Sequence, residues 1–270
     1  MSWDAAIKSI TPHVVKIETP TGYGTGFLAF YNHDRTWCGI ATAAHVVSHA
    51  DEWQEPIRIR DHQAKPRFLK GDERVIYIDY FNDSAIVLFL KGDLQLPEVP
   101  IALLPMNAPC DVGSDIGWLG YPHIEPGTLC FFSGTVSARQ EWRKSYLIDG
   151  VAINGVSGGP VFHCPGPEPD KALTIGCVSA YHANRATGEA LPGLLRAQDV
   201  SHFHEVAGTI RSIDEANIKK REFEDAQKKK AQAGTPQSGV GDSTTADGVI
   251  PIEPSPPSAP PANAAVGKVS

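Results

Sequence analysis

Three short stretches of this 270-residue chain carry side chains suited to acyl transfer. The first is Gly155-Val156-Ser157-Gly158-Gly159-Pro160. Glycine reaches backbone angles closed to other residues and proline fixes its own φ, so this stretch reads as a tight turn holding a hydroxyl clear of the backbone. Such a turn leaves backbone N–H groups beside the hydroxyl free to face a substrate. Attack on a carbonyl needs that pairing of nucleophile and donors, because negative charge builds on the carbonyl oxygen. Taken alone, the stretch also reads as a plain Gly-rich surface turn. The second stretch, Thr42-Ala43-Ala44-His45, ends a β-type run, with small residues behind the imidazole holding it at the edge of a cleft. His49 lies four residues on, a zinc-binding spacing on a helix, but the HExxH pattern needs a glutamate where Val46 stands. The third, Asn82-Asp83-Ser84-Ala85, precedes the apolar run IVLFL. An aspartate there either caps a turn or points at a histidine ring, fixing its tautomer and stabilising the imidazolium.

These stretches need a scaffold, and the text around them is β-type. Residues 2–10 suit a short amphipathic helix with Trp3, Ile7 and Ile10 on one face, which Pro12 stops. HVVKIE, GFLAF, CGIATAA, PIRIR, RVIYIDY and SAIVLFL then follow one another without a long helix. A connection carrying Pro100, Pro105 and Pro109 leads into DIGWLGYP, TLCFFSGTVSA, SYLIDGVAIN, GPVFH and ALTIGCVSAY. Regularly spaced short strands of this kind predict a sandwich or barrel. Helix grammar returns near Ser201, where Val206, Ile210 and Ile213 share a face. From Gly234 onward there is no aromatic residue and proline recurs among Gly, Ala, Ser and Thr, so a disordered tail is expected.

Composition narrows the function classes. A net charge of −7 without a basic, aromatic-studded patch argues against nucleic acid. No run approaches a membrane span, and the first ten residues lack a signal-peptide pattern, so neither a membrane partner nor export is expected. The five scattered cysteines form no CxxC pair and suit a reducing, cytoplasmic setting.

Together, TAAH, DSAI and GVSGGP stand in the order His, Asp, Ser and resemble the three signatures of trypsin-like (chymotrypsin-fold) serine peptidases. Gly24-Thr25-Gly26-Phe27 is similar to that family's glycine-rich second strand. Gly120-Tyr121-Pro122, Gly134-Thr135-Val136-Ser137 and residues 149–159 are most similar to its HtrA-type branch, here without a PDZ-like module. The resemblance covers residues 13–206. It implies an all-β fold of two packed antiparallel β-barrels (chymotrypsin-like) with a C-terminal helix and a disordered tail. The corresponding boundaries are 1–105 for the helix and first barrel, 106–203 for the second, 204–232 for the helix and 233–270 for the tail.

The resemblance also implies roles. Ser157 is the nucleophile, His45 the base and then acid, and Asp83 its orienting partner, with the N–H groups of Gly155 and Ser157 as oxyanion hole. Substrate binding falls to Val151 on the pocket floor, Asn154, Gly193 on one wall, and Ser179, Ala180 and Tyr181 along an extended substrate. No carboxylate stands at the floor, which implies cleavage after small or medium apolar residues. Neither cofactor nor metal is implied, and the partner is a protein or peptide substrate. The PSPPSAPP stretch adds a candidate ligand for a polyproline-binding partner. Val46 replaces the cysteine that follows the histidine in secreted relatives, and Val156 replaces the aspartate of zymogens, so N-terminal activation is not expected. Two other readings stay open: a binding protein with idle residues, and an esterase, because residues 155–159 also fit GxSxG. The histidine preceding the serine points away from the α/β-hydrolase version of that motif.

Overall fold

The apolar runs of the first half become β1 (Val14–Thr19), β2 (Gly22–Tyr31), β3 (Trp37–Thr42), β4 (Ile57–Arg60), β5 (Pro66–Leu69), β6 (Arg74–Asp79) and β7 (Ser84–Leu90). Those of the second half become β8 (Asp115–Gly120), β9 (Cys130–Gln140), β10 (Ser145–Asp149), β11 (Pro160–His163), β12 (Leu173–Asn184) and β13 (Leu191–Asp199). Helix α1 (Asp4–Ile10) precedes them, α2 (Ala44–Glu52) follows β3, and α3 (Ser201–Ala233) follows β13. This computed structural model of the chain describes residues 3–61, 63, 66–151, 153–164, 172–184 and 191–233. The tail and its proline-rich stretch lie outside them. Residues 1–223 form one unit, and 224–270 fall in another, of which the helical residues 224–230 are exposed. Among the described residues no helix is long and apolar enough to cross a membrane.

The second half closes into a barrel in the order β10-β13-β12-β11-β8-β9. The first half is a seven-stranded half-barrel sheet, β5-β4-β1-β2-β3-β7-β6, which with the closed barrel makes the all-β, two-barrel arrangement expected. A side chain spans the gap between its two end strands. Buried Arg74, at the start of β6, donates to Leu69 O at the end of β5 and to Ala50 O and Glu55 O near α2. A guanidinium satisfies three carbonyls that a strand ladder would otherwise have to meet.

Both faces of the first sheet are covered, which is why the stretch AIVLF of β7 (residues 85–89) is apolar at every position. Ala85, Val87 and Phe89 pack with Val15, Ile17, Ile40 and the α2 residues Ala44, Val47 and Ala50. Ile86 and Leu88 face the other way, onto a core shared with Trp118, Tyr146, Ile148 and Phe162 of the second half. Successive strand side chains point to opposite faces, so a strand buried on both sides loses the usual alternation. Phe203 of α3 meets Phe27 edge-on, and Trp3, ahead of α1, packs on Phe131 and Phe162.

Candidate active site

The pairing of β3 with β7 sets Thr42 opposite Ala85, so the residues just beyond β3 and just before β7 share one edge of the sheet. His45 therefore stands beside Asp83. The carboxylate accepts from His45 Nδ1 at 3.0 and 2.9 Å through its two oxygens, and from the His45 backbone N–H at 3.0 Å. A carboxylate can only accept, so Nδ1 carries the proton and Nε2 keeps its lone pair. Asp83 adopts φ 52°, a left-handed conformation that aspartate tolerates better than most residues. Asp79 makes that turn: its carboxylate accepts from the Asn82 N–H at 3.1 Å and from the Asn82 amide at 2.6 Å. The two neighbouring aspartates thus have separate places, one in the turn and one on the histidine.

A third donor reaches Asp83 from the second half. Ser179 Oγ donates to Asp83 Oδ2 at 2.6 Å. Val178 pairs with Ala197 and Ala180 with Arg196, so Ser179 is the extra residue of a β-bulge, and the bulge re-aims its hydroxyl. Burial pushes the Asp83 carboxyl up, but the hydrogen bonds and charge of His45, with Ser179 behind them, hold it below the ordinary carboxylate range.

Ser157 sits in a turn held from several sides by backbone bonds. Gly155 and Gly158 have φ 93° and 83°, and a Cβ at Gly158 would lie 2.1 Å from Thr25 O, so only glycine is accommodated there. Asn154 O accepts from the His123 N–H at 2.7 Å, and Val156 O accepts from the Gly159 N–H at 2.9 Å. In a trans peptide the C=O and the following N–H point in opposite directions. Tying back those two carbonyls turns out the N–H groups of Gly155 and Ser157, and neither has an acceptor among the described residues.

Thr25 of β2 ties the turn to the first half. Fully buried, its hydroxyl donates to Gly155 O at 2.9 Å and accepts from Tyr121 N at 3.0 Å. Its backbone N–H donates to Ser157 O at 2.8 Å, and its carbonyl accepts from Thr42 Oγ1 at 2.7 Å. The Gly-Thr-Gly spelling marks the site in sequence, but nothing there shows that the hydroxyl reaches the serine turn.

His45 and Ser157 line one cavity of about 210 Å³, together with Asn154, Gly155, Tyr23 and His123. His45 also lines a second cavity of about 500 Å³ with Asp83, Ser179 and Ala180. Ala180 and Tyr181 pair with β13 on one side, while the partner of β12 on the other side stops at Cys177. Val178 exchanges bonds with Gly158 and Gly159, and beyond it that edge of β12 has no partner among the described residues. Val151, expected on a pocket floor, is 54% exposed, so the structure does not enclose it as a floor. Gly150 lies flat on the Trp118 indole, and the next side chain stands in solvent. The Tyr181 side chain lies outside the described residues, and of Gly193 only the backbone, in β13, is described. A hollow of about 650 Å³ by Pro66–Leu69 (β5) and Asp93 has neither histidine nor nucleophile in its lining. The thiols Cys38, Cys110, Cys164 and Cys177 are buried, and burial pushes them up, Cys38 to about 12, so they pack and do not compete as nucleophiles.

Residues 24–166, more than half of the 270, match the family model described as trypsin-like peptidase domain. The chain belongs to the trypsin-like peptidase family. This peptidase domain match contains His45, Asp83 and Ser157 and ends before β12 and β13. Solved structures share the fold. A serine endoprotease from Yersinia pestis aligns with a TM-score of 0.57 at 17% identity, over 78% of this chain and 66% of its own. The Rv3671c protease of M. tuberculosis in an inactive form aligns at 0.53 and 21% identity, over 76% of this chain and 92% of its own. Deg5 aligns at 0.53 and 19% identity, over 74% and 89%. The trypsin-like peptidase thus spans just under two thirds of the Yersinia protein's length. No curated protein compared with the sequence matches it.

Proposed function

We propose that this trypsin-like peptidase is a serine endopeptidase working through an acyl-enzyme intermediate, with Ser157 as nucleophile, His45 as base and Asp83 as its orienting partner. The observation that carries the reading is the His45–Asp83 pair, with Nδ1 protonated, and with His45 lining one cavity with Ser157. Ser157 Oγ attacks the scissile carbonyl carbon while its proton passes to His45 Nε2. Asp83 stabilises the resulting imidazolium. The Gly155 and Ser157 N–H groups receive the oxyanion, and losing one such donor costs about 3 kcal/mol of transition-state stabilisation. The imidazolium then protonates the leaving amine as the C–N bond breaks. Water repeats the sequence on the ester and frees Ser157. The substrate adds as a strand to the open edge at Ser179, Ala180 and Tyr181.

Cleavage follows small or medium apolar residues, because the cavity that holds Ser157 has no carboxylate in its lining to pair with a cationic side chain. The unpaired cysteines support a cytoplasmic setting for the enzyme. A fluorophosphonate probe tests the assignment: it should label the wild-type chain at Ser157 and leave Ser157→Ala unlabelled. A peptide library should then show cleavage after Val, Ala, Ile or Leu ahead of Arg, Lys or Trp. Turnover by Ser157→Ala at the wild-type rate refutes the nucleophile. Labelling without cleavage of any peptide refutes the peptidase reading in favour of an ester substrate.

A further inference from the structure

The cavity of about 500 Å³ on the far side of His45 contains two cations that nothing in the mechanism uses. Arg196 comes from β13, directly across from Ala180. Arg143 comes from the turn between β9 and β10. Buried Gln198, two residues beyond Arg196, fixes that turn by donating to Arg143 O and Lys144 O at 2.7 Å each. Both guanidinium groups are thus held on anchored backbone and line the same space.

Among the described residues neither cation has an ion-pair partner. The Nε of Arg143 and the Nε of Arg196 are buried without a hydrogen-bond partner. Among the described residues no carboxylate forms an ion pair with either, and Arg143 instead covers the Trp142 ring at 4.6 Å. Burial lowers the Arg196 guanidinium, the charge of Arg143 lowers it further, and Asp83 opposes them. Asp83 itself is occupied by His45 and Ser179. Phe81 and Trp142, both 65% exposed, meet edge-on over 6.3 Å, and Tyr80 joins them on the rim. Two guanidinium groups with no carboxylate partner among the described residues, in a cavity also lined by Tyr80 and Phe81, form a receptor for an anion, since such groups bind carboxylate in fork geometry and strengthen away from water.

We propose that this cavity is a specificity subsite for an acidic side chain, aspartate or glutamate, on the acyl part of the peptide substrate. The proposal rests on the peptidase reading above, with the substrate strand along Ser179 and Ala180. Side chains alternate along a strand. The residue before the scissile bond faces the serine turn, so the second and fourth residues before it face the cavity beside His45. The acidic side chain supplies the counter-charge that the two arginines lack among the described residues. The enzyme therefore selects sequences with an acidic residue shortly before an apolar one, although its own net charge is −7.

The test uses matched peptides carrying Glu or Gln at the second or fourth position, in a cleavage arm and a binding arm. In the cleavage arm kcat/KM for the Glu peptide should exceed that for Gln by about tenfold or more, as charge-assisted bonds to arginine imply. The advantage should shrink in 0.5 M salt, on the order of a screened ion pair. In the binding arm the Ser157→Ala chain should bind the Glu peptide more tightly than the Gln peptide by fluorescence polarisation. Both ratios should fall to near one in Arg143→Gln/Arg196→Gln, and Arg196→Lys should keep part of them. Unchanged melting temperatures establish that the variants fold. A wild-type ratio near one, or a ratio that survives removal of both arginines, overturns the subsite. Failure of the probe to label Ser157 overturns the peptidase reading instead, and the binding arm then still decides the subsite.

Discussion

Thr25→Val isolates what one buried hydroxyl does for the serine turn. Valine keeps the shape of threonine and removes two bonds, one given to Gly155 O at 2.9 Å and one taken from Tyr121 N at 3.0 Å. Both backbone groups stay buried, and no other partner for the Gly155 carbonyl exists among the described residues. A buried polar group left unpaired costs about 1–3 kcal/mol, so the pair should cost about 2–6 kcal/mol of stability. For a unit of this size that corresponds to a melting temperature lower by roughly 5–15 °C. The carbonyl released is that of Gly155, whose N–H is assigned to the oxyanion hole, so kcat should fall by about 10²-fold, approaching the loss of a whole donor. Substrate contacts away from the turn are untouched, and KM should change little. Thr25→Ser keeps the hydroxyl and loses one methyl, worth about 1 kcal/mol. Calorimetry and steady-state kinetics on the two variants give the answer. If Thr25→Val melts and turns over as Thr25→Ser does, the hydroxyl does not hold the turn.

The neighbouring aspartates should separate cleanly. Asp83→Asn should lower kcat by roughly 10⁴-fold by upsetting the His45 tautomer, whereas Asp79→Asn, which alters only the turn, should lower it less than tenfold, and kinetics showing the reverse order would exchange their roles. Asp83 also gives an acid signature. Its carboxyl is lower in the folded than in the unfolded chain, so its contribution is present above the ordinary carboxylate pKa of about 4 and is lost as pH falls through the lowered folded value. The melting-temperature gap between wild type and Asp83→Ala should therefore narrow on acidification, and a gap constant from pH 7 to pH 2 counts against this. Arg74→Met leaves Leu69 O, Ala50 O and Glu55 O without their donor, which should cost about 3 kcal/mol or more in urea unfolding. An unchanged midpoint would mean that the guanidinium does not hold the seam.

Most strands were legible because their apolar runs are short and bounded by turn residues. SAIVLFL and DIGWLGYP become β7 and β8 close to their expected limits. Helix α2 was not legible: its buried face is Ala44, Val47 and Ala50, too small to stand out as an apolar stripe, and TAAH reads as the end of a strand. The half-barrel was hidden because its seam is one arginine, and a lone arginine in RVIYIDY looks like an ordinary surface charge. His45, Asp83 and Ser157 could be named because each sits in a distinctive local spelling. Arg143 and Arg196 could not, since each is unremarkable locally and they meet only through the pairing of β10 with β13 and the bonds of Gln198. Ser179 was expected along the substrate, whereas its bond to Asp83 depends on a bulge that leaves no mark in the residue types.

The sharing of one core by both halves has a bearing on biogenesis. The faces of β2, β3 and β7 turned to the second half are completed by later residues, Trp118, Tyr146, Phe162 and Phe203 among them, so a chain synthesised to residue 105 carries an uncovered apolar face. It also carries His45 and Asp83 with no serine turn and without the Ser179 hydroxyl. The turn is anchored in turn by Thr25, supplied earlier by β2. Each half therefore lacks, without the other, part of the shared core and part of the site. On the proposed assignment, the residues given to hydrolysis come together only once β12 and β13 have been made and docked, so an unfinished chain would not yet cut its surroundings or itself.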